Sequence, residues 1–354
     1  MRPRAIAQLV AVVSLCIAAG DLECRPAGSQ CARSRGEDLY GRMCAVCHGA
    51  AGAGYAADRA PALAQADFLA SVTDVALRKA IADGRPGTTM SAWSKARGGP
   101  LDEADTDALV AMLRSWQRGP TVALDERPLA GDSGRGAPLY ARECALCHGP
   151  RGLEGPEVHV GSYGFLDTAS SGFLRWAIAR GRPGTPMPAF EDKLGEQGID
   201  DVIAVVRHSL SAAERSASPA GRTPPIALGP VPLHPHGPEP AGFHAHPGVT
   251  SVDVVHAQLA RGARMAILDA RVPSDYVAGH IAGAVSVPFY DPAPYTAALP
   301  RDAWLVCYCA CPHAESGQLA TTLVSNHFSK VTVLDEGVRA WEARGYPMHA
   351  GAEP

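Results

Sequence analysis

The sequence carries little net charge and no long apolar run. Its formal charge is −4 over 354 residues. Such a balance provides no basic face for nucleic acid or for an anionic membrane surface. The longest apolar stretch, Ala5 to Gly20, has 16 residues and is interrupted by Gln8 and Ser14. A bilayer span needs roughly 20 apolar residues, so no stable membrane span is expected. Arg2 and Arg4 precede the stretch, and Ala18, Ala19 and Gly20 close it. That order reads as an export signal over 1–20, with an uncleaved anchor as the alternative. A lipid anchor lacks the small residue it needs, because Leu15 precedes Cys16 and Glu23 precedes Cys24. The chain is therefore expected to work in a periplasm.

Ten cysteines are present. Four of them form two C-x-x-C-H motifs, Cys44–Cys47–His48 and Cys144–Cys147–His148. Neither motif has the second ligand pair that a structural zinc site recruits. Neither sits in the βαβ context of a thioredoxin-like dithiol. Two thiols can bond covalently to the vinyl groups of a haem, while the adjacent imidazole reaches the iron from the same face. Two covalent haem c groups are the expectation. Cys24 and Cys31 remain near the N-terminus and can pair in an oxidising compartment.

The motifs belong to longer repeats. "GEDLYGRMCAVCHG" (36–49) matches "GAPLYARECALCHG" (136–149), and "IADGRPGTTMSAW" (81–93) matches "IARGRPGTPMPAF" (178–190). Both units read as helical. Leu77 with Ile81, and Leu174 with Ile178, stand four apart ahead of each GRPG. A last helix carries Leu109, Met112, Leu113 and Trp116 in one unit and Ile203, Val206 and Leu210 in the other. Asp102 and Asp200 are the expected N-caps. The sixth iron ligand should be a soft or nitrogen donor. Met187 is the single methionine of the second unit, and Met90 is its partner by alignment. His–Met ligation raises the reduction potential and suits electron transfer. Arg85 and Arg182 follow glycine in these loops; each is either a partner for a haem propionate or a solvated arginine.

On "CAVCHG" with "GRPGTTMSAW", and "CALCHG" with "GRPGTPMPAF", both units resemble class I c-type cytochrome domains, over 35–118 and 134–212. The resemblance implies two all-α domains. Their proximal iron ligands would be His48 and His148, and their distal ligands Met90 and Met187. The family often holds the proximal histidine through a proline backbone, which "APAL" (60–63) supplies. The second unit reads "EVHVGS" there and lacks it.

Residues 213–248 are dense in proline and include His234, His236, His244 and His246. They read as a stiff extended linker. From 249 to 350 short apolar strands alternate with helical segments, which implies an α/β domain with a mostly parallel sheet. The expected strands are 266–268, 286–288, 304–308 and 331–334, and the expected helices 252–259, 318–324 and 338–344. "LDARVPSDYVAGHIAGAVSVP" (268–288), "VCYCACP" (306–312) and "GVRAWEARGYP" (337–347) resemble the rhodanese family. The resemblance makes Cys309 the persulfide-carrying nucleophile. Cys307 would be a buried strand residue and Cys311 a resolving thiol. Asp269, Arg271 and His280 would organise the sheet edge. The loop departs from the family by lacking arginine, and Glu336 stands where glycine is usual.

Taken together, these features describe a periplasmic dihaem electron carrier with redox partner proteins. Its C-terminal domain would handle sulfane sulfur, from a small sulfur compound, through Cys309. The alternatives are an enzyme proper, oxidising thiosulfate or persulfide or acting as a thiosulfate sulfurtransferase, and a carrier whose last domain is an inactive docking module.

Overall fold

A computed structural model of the chain describes residues 28–57, 60–85, 88–153, 155–208, 231–310 and 313–354. The export signal, Cys24 and Cys311 lie outside these residues, as does Leu210. Two helical lobes precede an α/β domain.

In the first lobe the outer helices are α1 (Gly28–Leu39) and α5 (Glu103–Ser115), which cross closely. Between them lie α2 (Ala45–His48), α3 (Ala66–Ser71) and α4 (Asp74–Asp83). A π-helical turn, Tyr40–Cys44, joins α1 to α2. The second lobe repeats the plan. Helices α6 (Ser133–Glu143) and α10 (Glu191–His208) pack together around α7 (Ala145–His148), α8 (Tyr163–Leu166) and α9 (Ser171–Arg180). The crossings depend on glycine. A Cβ at Gly36 would lie 2.2 Å from the Ala108 carbonyl oxygen, and one at Gly136 would lie 2.1 Å from that of Asp201.

Asp102 caps α5 in a reciprocal capping box with Asp105. The expected cap at Asp200 is not one. That residue lies inside α10, past a kink at Gly195, and its carboxylate forms a buried ion pair with Arg175 at 2.6 Å. Leu109, Met112, Leu113, Ile203 and Val206 are all buried, as the helical spacing requires.

The lobes meet through reciprocal contacts. Arg85 of the first donates to the Gly164 carbonyl at 3.0 Å and to Thr168 Oγ1 at 2.9 Å in the second. Arg182 of the second pairs with Asp67 of the first at 2.6 Å, and Trp176 Nε1 donates to the same carboxylate at 3.0 Å. Phe68 and Phe173 meet edge to face between them. Both loop arginines thus bridge the lobes, and neither is a solvated surface residue.

The C-terminal domain has a five-stranded parallel sheet ordered β1-β6-β5-β2-β4. The strands are β1 (Val249–Thr250), β2 (Met265–Asp269), β4 (Ala284–Ser286), β5 (Trp304–Tyr308) and β6 (Val331–Leu334). A small antiparallel pair, β3 (His280–Ile281) with β7 (Met348–His349), stands apart. Its helices are α11 (Val252–Ala260), α12 (Pro273–Ala278), α13 (Ala293–Thr296), α14 (Ala314–Ser325) and α15 (Gly337–Ala343). The strand expected at 286–288 falls two residues earlier, since Pro288 has no N–H to give the ladder. Asp269 ends an interior strand and Arg271 follows it, so neither lies at a sheet edge.

The part of the proline-rich segment that is described, 231–248, is not a free spacer. It lies against the α/β domain: His246 donates its N–H to the Val331 carbonyl, and Pro238 accepts from Arg264 N–H. Glu239 pairs with both Arg264 and Lys330.

The glycine crossings generate a test. Gly36→Ala is expected to cost about 1–3 kcal/mol by overpacking α1 against α5. Gly41→Ala, where an added Cβ meets nothing within 4 Å, should leave the urea midpoint unchanged or slightly raised.

Candidate functional site

In each C-x-x-C-H motif the first cysteine is the N-cap of a one-turn helix, α2 or α7, that carries the second cysteine and the histidine. Cys44, Cys47, Cys144 and Cys147 are half-buried and carry no disulfide. Burial pushes the Cys44 thiol up to about 12 and the Cys144 thiol up to about 11.

The histidines are oriented by backbone. His48 Nδ1 lies 2.9 Å from the Pro61 carbonyl oxygen, and His148 Nδ1 lies 2.9 Å from that of Val158. An Nδ1–H bonded to a carbonyl leaves Nε2 deprotonated and open to a metal. Burial holds the His48 pKa below its ordinary value, which keeps that ring neutral. Pro61 is the residue expected from the "APAL" stretch. In the second lobe Val158 does the same task with its backbone, a role no side-chain pattern could announce.

A tyrosine four residues before each first cysteine closes the motif from behind. Tyr40 and Tyr140 donate their hydroxyls to the Gly49 and Gly149 carbonyls, at 2.8 and 3.0 Å.

The methionine loops are built alike. Arg85 N–H donates to the Met90 carbonyl at 2.8 Å, and Arg182 N–H to that of Met187 at 2.9 Å. Thr88 Oγ1 donates to the Arg85 carbonyl and accepts from Met90 N–H, while Thr185 repeats both bonds with Arg182 and Met187. Met90 and Met187 are half-buried at the ends of these loops. Met43 and Met112 are fully buried core residues.

Cys309 stands at the carboxyl end of β5 and is fully buried. Its Sγ lies 3.3 Å from Ser316 Oγ, in the first turn of α14. That helix begins four residues earlier than its apolar spacing suggests, which brings Glu315 and Ser316 to the site. Cys307 is buried within β5, and desolvation raises its pKa strongly. His280 is buried and stacked on Tyr276, whose carbonyl accepts from its Nδ1–H at 2.8 Å. Asp269 holds Arg271 at 2.6 Å and accepts from Tyr308 hydroxyl at 2.5 Å. Glu336 adopts a left-handed φ of +64°, which explains why glycine suits that position.

Residues 32–113 and 131–205 match the family described as cytochrome c oxidase, cbb3-type, subunit III. Residues 251–344 match the rhodanese-like domain family. This chain joins c-type cytochrome domains to a C-terminal rhodanese-like domain. Among curated relatives, a cbb3-type cytochrome c oxidase subunit FixP from Bradyrhizobium sp. (strain ORS 278) is 30% identical over 55% of this chain and 66% of its own length. A cytochrome bc1 complex cytochrome c subunit from Mycobacterium bovis is 29% identical over 51% of this chain and 64% of its own. The chain thus spans just under two thirds of these relatives. A rhodanese-like domain structure from Anabaena sp. is 31% identical over 29% of this chain and 78% of that one, with a TM-score of 0.27.

Cytochrome c domains bind haem c covalently, and the donor set described above fits it. Each cytochrome domain offers two thiols three residues apart, an imidazole whose Nδ1 is tied to a carbonyl and a thioether on a separately braced loop. Among the described residues no helix is long and apolar enough to cross a membrane.

The paired loop bonds set an expectation. Thr185→Val removes a hydroxyl that both donates and accepts, leaving Met187 N–H without that partner, and should cost about 1–2 kcal/mol of second-domain stability in urea unfolding.

Proposed function

We propose that this chain is a periplasmic dihaem electron carrier, exported by residues 1–20, whose rhodanese-like domain carries sulfane sulfur on Cys309. Its cytochrome units are 35–118 and 134–212, followed by the proline-rich segment 213–248 and the rhodanese-like unit 249–350. The observation that carries the reading is the matched pair of oriented imidazoles. His48 and His148 each have Nδ1 occupied by a carbonyl at 2.9 Å, which two unrelated structural histidines would have no reason to share.

Cys44 and Cys47 hold one haem c and Cys144 and Cys147 the other, through thioether bonds. Haem c, when bound, supplies a one-electron ferric–ferrous couple. His48 and His148 would hold the iron through Nε2, and Met90 and Met187 would offer sulfur from loops in which threonine hydroxyls hydrogen-bond the backbone. Thioether ligation favours the reduced state and raises the potential. The protein's part is orientation, burial and exclusion of water.

The two motif helices differ in access, and the difference bears on the redox partners. Val46 in α2 is packed into the apolar cluster shared with the rhodanese-like domain, where α2 meets α14. Leu146, its counterpart in α7, is 88% exposed. An exposed leucine beside a haem-attachment motif supports docking of donor or acceptor proteins at the second domain.

Cys309 supports sulfur handling by its position between a strand end and a helix start. The amides and partial positive charge at the start of α14 favour a thiolate. Its complete burial favours a second reading, in which the rhodanese-like domain is an inactive dock for the first cytochrome domain.

The alkaline pyridine spectrum of protein matured in a cytochrome c-competent host is expected to count two haems c per chain. One haem, or haem that acid acetone extracts, would remove the dihaem assignment. Met187→Ala should lower one reduction potential and leave the other nearly unchanged in a redox titration. For the sulfur site, a sulfane donor should add sulfur to Cys309 by peptide mass spectrometry, and Cys309→Ser should prevent it. A Cys309 that accepts sulfur from no donor would leave only the docking role.

A further inference from the structure

The backbone and the side chain of Arg182 belong to different contacts. Its N–H donates to the Met187 carbonyl at 2.9 Å, and its own carbonyl accepts from Thr185 Oγ1 at 2.7 Å. These bonds close the methionine loop on itself. The guanidinium leaves the loop and enters the first cytochrome domain, where Nη1 meets the Asp67 carboxylate at 2.6 Å. One residue thus links the Met187 backbone to a carboxylate 115 residues from it in sequence.

Other contacts from α3 and α9 complete the grip. Trp176 Nε1 donates to the same Asp67 carboxylate at 3.0 Å. Gln65, the N-cap of α3, donates Nε2 to the Pro183 carbonyl at 3.2 Å. The Arg182 guanidinium lies 5.0 Å from the centre of the Phe173 ring, and Phe173 meets Phe68 edge to face. The side chains of Arg182 and Asp67 are only 14% and 18% exposed. A pair so far out of water is poorly screened, and its charge-assisted bond is strong.

The loop has little else to hold it. Pro183, Gly184, Pro186 and Pro188 are exposed, so packing within the second domain contributes little there. In the first domain Arg85 reaches neutral oxygens, the Gly164 carbonyl and the Thr168 hydroxyl. The carboxylate opposite Arg182 adds the attraction of opposite charges. The second domain's loop is therefore the more firmly gripped from outside.

We propose that Asp67, a residue of the first cytochrome domain, is a positioning residue for Met187 in the second. By holding Arg182 it fixes the loop that presents the Met187 sulfur. A thioether is a weak donor, so its hold on iron depends on placement to within about 0.5 Å. The proposal rests on the dihaem reading and adds to it a dependence of the second domain's iron ligation on the first domain.

The test uses the full-length, haem-loaded protein with imidazole as a competing iron ligand. Binding to the ferric protein is followed by absorption, and Met187→Ala identifies the phase that belongs to the second domain. Asp67→Asn should raise imidazole affinity in that phase about tenfold, the low end of what losing an outer-shell partner costs. It should also weaken the far-red absorption of methionine-bound ferric iron. Made in the Met187→Ala background, the same substitution should change that phase by less than about twofold, because it acts through a ligand already removed. Asp67→Glu keeps the carboxylate and should return most of the original behaviour.

The reduction potential of the second domain provides an independent sign. Loss of a nearby negative charge by itself raises a potential. A loosened thioether lowers it, and a fall is expected. A rise, an unchanged imidazole affinity, or equal effects of Asp67→Asn in both backgrounds overturns the proposal. Should Asp67→Asn fail to accumulate haem-loaded protein, Arg182→Gln breaks the pair from the other side and keeps the backbone bond to Met187. It is read through the same pair of backgrounds with the same expected and overturning results. If Met187→Ala itself leaves both imidazole phases and both potentials unchanged, the ligand assignment beneath the proposal falls instead.

Discussion

In both cytochrome domains one ring nitrogen of a histidine is tied to a backbone carbonyl, 2.9 Å from Pro61 in one case and from Val158 in the other. That single hydrogen bond fixes tautomer and ring direction, and it leaves the other nitrogen as the available metal donor. Much of each domain serves to hold the carbonyl and the histidine in place. The tyrosine-to-glycine bond braces the turn behind the motif, and the close helix crossing at Gly36 or Gly136 sets the distance between the motif and the last helix. Val158 shows that the constraint belongs to the backbone. A proline is one way to place the carbonyl, and another residue with the same local path serves equally well.

The arrangement of the domains follows from where charge and apolar surface can be satisfied. Arg85 and Arg182 carry their guanidiniums across the cytochrome–cytochrome boundary and find oxygen partners on the far side. Each is half-buried, and leaving such a guanidinium unpartnered would be costly. The methionine loops are thereby anchored to the neighbouring domain as well as to their own. On the opposite side, Trp93 and the residues around Met90 pack on Phe289, Tyr290 and Asp275. The first cytochrome domain thus lies between the second and the rhodanese-like domain. Its apolar core continues into that of the latter as one cluster.

Inside the rhodanese-like domain, Asp269 and Glu315 are buried carboxyls that the usual basic loop of that family does not prepare for. Asp269 is paired with Arg271, and Asp275 accepts from the Ser91 hydroxyl of the first cytochrome domain. Without that domain, Asp275 would lose the Ser91 hydroxyl.

Residue type and spacing were sufficient to place the two motifs and most of the secondary structure. C-x-x-C-H specifies its attachment within one helical turn, so no long-range information is required. Strands 304–308 and 331–334 follow from short apolar runs, and the cap at Asp102 follows from the residues just after it. Asp200 looked like the same signal, but Arg175, 25 residues away in sequence, drew its carboxylate into a buried pair. The start of α14 at Ala314 was likewise hidden, because its first turn carries polar residues that face the site and not the core. The proline-rich segment read as a spacer, and only its contacts with Val331 and Arg264 bind it to the domain. Sequence by itself determined where the two C-x-x-C-H turns lie and which thiol follows the central strand, because those are properties of neighbouring residues. The partners of Arg85 and Arg182, the carbonyl behind His148 and the cytochrome contacts with Asp275, Phe289 and Tyr290 were decided by tertiary structure alone, because each depends on surfaces brought together from distant parts of the chain.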